Sequence, residues 1–151
     1  MKRTLLLLGL FAIVGAEPAL KEEDPLLVDS TWKGKFTQLG SHPRATFPPE
    51  LQATLTVTKR DSDNVELELR EVAENLDITF VCRGRLTRNA DASLTLEFKS
   101  YDVKGNPNAS WYLIDVPYTA KIVGDTIKGT WKYVESDEGI NLHGDYALTR
   151  E

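Results

Sequence analysis

Along most of this chain, apolar and polar residues alternate one for one. Leu51, Ala53, Leu55 and Val57 are apolar, whereas Gln52, Thr54, Thr56 and Thr58 between them are polar. Val65, Leu67 and Leu69 repeat the pattern against Glu66, Glu68 and Arg70. Leu76, Ile78, Phe80, Cys82, Gly84 and Leu86 continue it, and so do Leu94, Leu96 and Phe98. A period of two gives a strand one face for a dry interior and one for water. Between the runs stand residues suited to tight turns: Asp61-Ser62-Asp63-Asn64, Asn89-Ala90-Asp91-Ala92, Lys104-Gly105-Asn106-Pro107-Asn108, Gly124-Asp125 and Ser136-Asp137-Glu138-Gly139. The spacing predicts about eight strands, near 31–39, 51–59, 64–72, 76–87, 93–102, 110–122, 126–135 and 141–150. No segment carries a helical period.

Eight antiparallel strands with short connections and one shared apolar face close most simply into an up-and-down barrel. Closure removes both exposed edges. The expected fold is therefore all-β. Residues 40–50, with His42, Pro43, Pro48 and Pro49, form the one long irregular connection expected, and such a loop would lie over an opening as a lid. The dry face also sets glycine beside large rings: Trp32 and Gly34, Gly129 and Trp131, Gly144 and Tyr146. A strand glycine leaves a ring somewhere to lie and lets the sheet coil sharply.

The N-terminus departs from this pattern. Lys2 and Arg3 precede an apolar run from Leu5 to Val14 that is too short to span a bilayer comfortably, and Val14 and Ala16 suit a cut before Glu17. Residues 1–16 read as a cleaved signal peptide, so the mature protein is expected to be secreted or periplasmic. Residues 17–29 are acidic and punctuated by Pro18 and Pro25, which suggests a flexible leader. Residues 30–151 then make a single barrel domain. No second apolar run of membrane length follows, so no transmembrane segment is expected after cleavage.

Loss of Lys2 and Arg3 takes the net charge from −5 to −7. An acidic surface argues against nucleic acid as a partner, because phosphate needs counter-charge. Cys82 is the only cysteine, so an exported domain of this kind has no internal disulfide and depends on packing. It sits on the apolar side of its strand, as a core thiol would. The two histidines, His42 and His143, form no short-spaced pair, so no metal set is expected. The acids Glu66, Glu68, Glu97 and Asp145 alternate outward, where Arg83, Arg85 and Lys99 on neighbouring strands would pair with some of them. No phosphate loop, dinucleotide fingerprint or nucleophile elbow occurs, so no cofactor is expected and nothing positive points to catalysis. An outer-membrane barrel would need aromatic girdles and a terminal aromatic, but the chain ends Thr149-Arg150-Glu151.

Trp32 on the first strand, the eight-strand count and Arg150 near the end of the last together resemble the calycin-type barrels, the group that includes lipocalins and avidins. In lipocalins a first-strand Trp packs near a late Arg, which Trp32 and Arg150 would match. The chain departs from them in having Ser30 where lipocalins have a glycine. The hairpin Val123–Trp131 is similar to one found in small secreted bacterial proteins. The resemblance implies a lipocalin-like barrel with a lumen. The expected function is binding of a small apolar or amphipathic ligand there, lined by some of Trp32, Tyr112, Tyr118, Trp131, Tyr133 and Tyr146. The alternative is a filled barrel acting as an interaction or structural module for an exported protein partner in the cell envelope or extracellular space.

Overall fold

A computed structural model describes residues 25–151. The signal-like segment 1–16 and residues 17–24 of the acidic leader lie outside the described residues. Nine strands follow: β1 (Thr31–Thr37), β2 (Leu39–Ser41), β3 (Glu50–Asp61), β4 (Asn64–Ala73), β5 (Leu76–Arg88), β6 (Leu94–Val103), β7 (Pro117–Val123), β8 (Thr126–Glu135) and β9 (Ile140–Arg150). From β3 onward each strand pairs antiparallel with the next in sequence, and β1 pairs with both β3 and β9. The ring closes as an eight-strand antiparallel up-and-down barrel, consistent with a calycin-like fold. The short β2 extends the β1 path along β9, pairing Leu39 to Ser41 with His143 to Asn141.

The apolar positions of each run point inward. In β9, Ile140, Leu142, Tyr146 and Leu148 are buried while Asn141, His143, Asp145, Ala147 and Thr149 are exposed. Charge therefore faces outward and the apolar face inward, the reverse of what a lipid-facing barrel requires. The outer face carries some of the expected cross-strand pairs. Arg83 lies 3.8 Å from Glu66, but Glu68 turns instead to Lys104 at 2.7 Å. Such exposed pairs contribute little each.

One expected strand is shorter than its sequence suggests. Residues 110–116 do not join β7, which begins at Pro117, and the whole of 104–116 is a second long irregular connection beside the one at 42–49. Trp111-Tyr112-Leu113-Ile114 lacks alternation, Asp115 takes a positive φ of 63°, and Pro117 has no N–H to offer a ladder. The connection is instead tied down at points. Asn108 exchanges both main-chain hydrogen bonds with Asp77, and the buried Ser100 hydroxyl accepts the Val116 N–H at 3.2 Å.

Ahead of β1, Leu26 is fully buried within the core, and Asp29 N–H donates to the Val57 carbonyl at 2.8 Å. Within the lumen, four rings from four strands interlock. Phe36 stacks on Tyr146 at 4.4 Å and Phe98 on Tyr118 at 4.6 Å, while the two stacks meet edge to face at 6.0–6.5 Å. Both arrangements suit the ring quadrupoles. Glycine makes room for these rings across strands rather than along them. Tyr146 lies over Gly129, its register partner, and the Trp131 indole lies over Gly144.

The closing seam needs glycine for a second reason. A Cβ on Gly34 would stand 1.9 Å from the Ala147 carbonyl oxygen, and one on Gly144 would stand 1.9 Å from that of Thr37. Both obstacles are backbone, which cannot rotate away. Gly34→Ala and Gly144→Ala should therefore each lose about 1–3 kcal/mol of stability, the usual cost of forcing extra volume into a packed site. Urea unfolding measures this, and unchanged midpoints would show that the seam tolerates a wider spacing.

Candidate functional site

The two ends of the barrel differ. At one, the turns are short (62–63, 89–93 and 124–125) and the segment 25–30 folds against β3. At the other lie the connection 42–49, the β4–β5 turn at Glu74 and Asn75, the connection 104–116 and the 3-10 turn Ser136–Glu138. This second end holds a cavity of about 380 Å³, within the usual range for small-molecule sites. Phe36 and Tyr118 of the four-ring cluster line it, as do Leu51 of β3, Ile78 and Phe80 of β5, and Leu142 of β9. From the two long connections come Thr46, Phe47 and Pro48 on one side and Ala109 to Leu113 on the other.

These two connections support each other through rings. His42 stacks on Trp111 at 4.5 Å and Phe47 meets the same indole edge-on at 6.3 Å. The His42 Nδ1 accepts the Arg44 N–H at 3.2 Å, which holds the imidazole in place. Below them, the Trp131 Nε1–H donates to the Thr37 carbonyl at 3.1 Å, and the Gln38 N–H donates to Pro49 at 2.8 Å. The loop expected to serve as a lid thus forms one wall of the opening.

The lining includes the polar side chains of Gln38, Thr46, Glu74, Asn75 and Ser110, but Glu71 is the one that is buried. Glu71 belongs to β4, on the inward face that begins Val65, Leu67, Leu69 and ends at Ala73. It lies in register with Ala53 on β3 and Ile78 on β5, both apolar. It is only 8 % exposed, and among the described residues it has no hydrogen-bond or ion-pair partner. Burial without a partner disfavours the charged form, and it raises this carboxyl from 4.5 to about 7. Its charge also reaches other groups in the lumen. Burial first, then Glu71, pushes the Tyr118 phenol and the Cys82 thiol up.

Of the six aromatic residues expected to line a binding site, Tyr112, Tyr118 and Trp131 do line the cavity. The other three do not. Trp32 is wholly buried outside the lining, Tyr146 lies in the ring cluster, and the Tyr133 hydroxyl donates to Glu135 at 2.9 Å. Sequence reasoning passed over Phe36, Phe47, Trp111 and Glu71. For Glu71 the signal was present: counting by twos from Val65 arrives at it on the dry face. The histidines take no part in a shared cluster. His143 is exposed on β9, and among the described residues no three of His, Cys, Asp or Glu converge as a metal site would require.

No family model matches this chain, nor does any curated protein or solved structure. The chemistry of the site therefore rests on its geometry. An apolar pocket with one buried, unpaired carboxyl suits an amphipathic molecule whose polar end meets that carboxyl.

Glu71 has a measurable consequence for folding. Below pH 4.5 it is protonated in both the folded and the unfolded chain, and its ionisation adds no penalty. Between pH 4.5 and about 7 the unfolded chain ionises first, so stability falls as pH rises. Above about 7 the full penalty of about 3 kcal/mol is in place. Glu71→Gln should therefore unfold at a higher urea concentration than the wild type at pH 8, and at a similar one at pH 4. Parallel behaviour of the two proteins across that range would contradict the burial of an unpaired carboxyl.

Proposed function

We propose that this protein is an exported binding module that holds a small amphipathic molecule in the open half of a calycin-like barrel. The observation that carries the reading is the cavity of about 380 Å³ at one end of the lumen, lined by rings, aliphatic side chains and several polar ones, with a single buried carboxyl. An eight-strand barrel is narrow enough for side chains to fill it entirely. A cavity of this size beneath two long connections is what a ligand site requires and a purely structural barrel does not. Apolar side chains also stand exposed around that end, with Leu39, Tyr112 and Ile114 each close to half exposed. They offer an approaching apolar molecule a first contact. Export rests on the sequence of residues 1–16.

A second reading draws on the same exposed residues. Leu39, Tyr112 and Ile114 could instead form the contact face for an exported protein partner, with the cavity as a packing gap.

The two readings part on a simple titration. A neutral apolar fluorophore such as N-phenyl-1-naphthylamine should bind one to one, with micromolar affinity and enhanced emission. Ala73→Trp, which puts a large ring on the cavity wall, should weaken that binding at least tenfold, an effect that costs roughly 1.4 kcal/mol or more. Failure of the fluorophore to bind the folded protein would move the assignment to the interaction module.

A further inference from the structure

We infer that the cavity accepts an amphipathic molecule whose polar end is a protonated nitrogen, with the ammonium seated on the Glu71 carboxylate. This deepens the binding reading above and rests on it. Glu71 is more than nine-tenths buried, lines the cavity and has no partner among the described residues. A carboxylate largely desolvated on a cavity wall with no protein partner is costly, and a site built around one favours the ligand that supplies the missing donor. A charged donor serves better than a neutral one, since charge-assisted hydrogen bonds are roughly twice as strong.

The rest of the lining agrees on sign. Among the described residues the only other charged one around the cavity is Glu74, in the turn after β4, and no Lys, Arg or His among them lines it. Among the described residues, the inward side chains beside Glu71 include no cation either. β3 brings Leu51 and Ala53; β5 brings Ile78, Phe80 and the Cys82 thiol. β1 and β7 bring Phe36 and Tyr118 to the cavity wall, and β9 brings Tyr146, stacked on Phe36. Burial keeps that thiol and both phenols neutral at ordinary pH. An anionic head would therefore meet two acids and no counter-charge. A cation would meet a carboxylate and the faces of several rings, among them Trp111 and Trp131, which attract positive charge through their quadrupoles.

The pairing also sets a pH dependence. An alkylamine stays protonated up to about pH 10, so Glu71 is the group that titrates. With its carboxyl near 7 in the protein alone, the ionised fraction falls about tenfold from pH 8 to pH 6. Affinity for an amine should fall by about the same factor, and affinity for the matching alcohol should not.

The test is displacement of the neutral fluorophore from the mature protein by octylamine, octanol and octanoate at pH 8 and pH 6. At pH 8 octylamine should compete best and octanoate worst. Glu71→Gln should reduce the octylamine affinity about tenfold or more, leave octanol within about twofold, and abolish the pH dependence. Glu74→Gln, at the mouth, should change octylamine binding less than Glu71→Gln does. Equal competition by the three heads, preference for octanoate, or an amine preference that survives Glu71→Gln would overturn the inference while leaving the cavity as a binding site. Failure of the fluorophore itself to bind would remove the reading beneath it as well.

Discussion

The sheet closes where β1 runs beside β9, and there the chain leaves out the Cβ atoms that would keep the strands apart. Gly34 leaves room for the Ala147 carbonyl and Gly144 for that of Thr37, each within a space that any other side chain would occupy. With the seam closed, no strand of the ring has a free edge, and every inward side chain shares a single lumen. Thr37 reinforces the same corner. Its carbonyl accepts the Trp131 indole N–H, and its hydroxyl accepts the Asp145 N–H at 2.8 Å. The chain bends at this corner from β1 toward β2 and the long connection, so closure and the shape of the opening are set together.

Inside, the lumen divides at the four-ring cluster. Phe36, Phe98, Tyr118 and Tyr146 cross it as two stacked pairs meeting edge to face. On one side of them Leu26, Trp32, Leu67 and Ile127 are fully buried. On the other, β4 contributes Glu71 and Ala73 where it might have carried two large aliphatic residues, and the interior stays open. The carboxyl there carries a folding penalty that a leucine would not. A fold that keeps an acid with no protein partner on the wall of a cavity gives up stability at the place where a ligand would restore it.

Much of this was legible in the sequence. Period-two alternation separated wet from dry faces along β3, β4, β5, β6, β8 and β9, and turn residues bounded nearly all the strands within a few positions. The run Trp111–Ile114 misled because four consecutive apolar residues look the same whether they line a buried strand or cover an opening. The height of a residue within the barrel was out of reach for another reason. Trp32, Tyr118, Trp131 and Tyr146 all share the dry face, but which of them meets the cavity depends on strand tilt and register, and a single strand encodes neither. Glu71 followed from the alternation of its own strand. It stands at the end of a run whose other acids, Glu66 and Glu68, point outward, and the change of face comes only from counting on by one more residue.

The most direct measurement is the titration of Glu71 itself, read from the side-chain carboxyl carbon by NMR with Glu71→Gln to assign the signal. A midpoint near 7 would establish a buried acid without a protein partner on the cavity wall. A midpoint near 4.5, where an ordinary glutamate titrates, would mean that water or a counter-charge already satisfies the carboxyl, and the account of the cavity as a site awaiting a cationic head would be wrong.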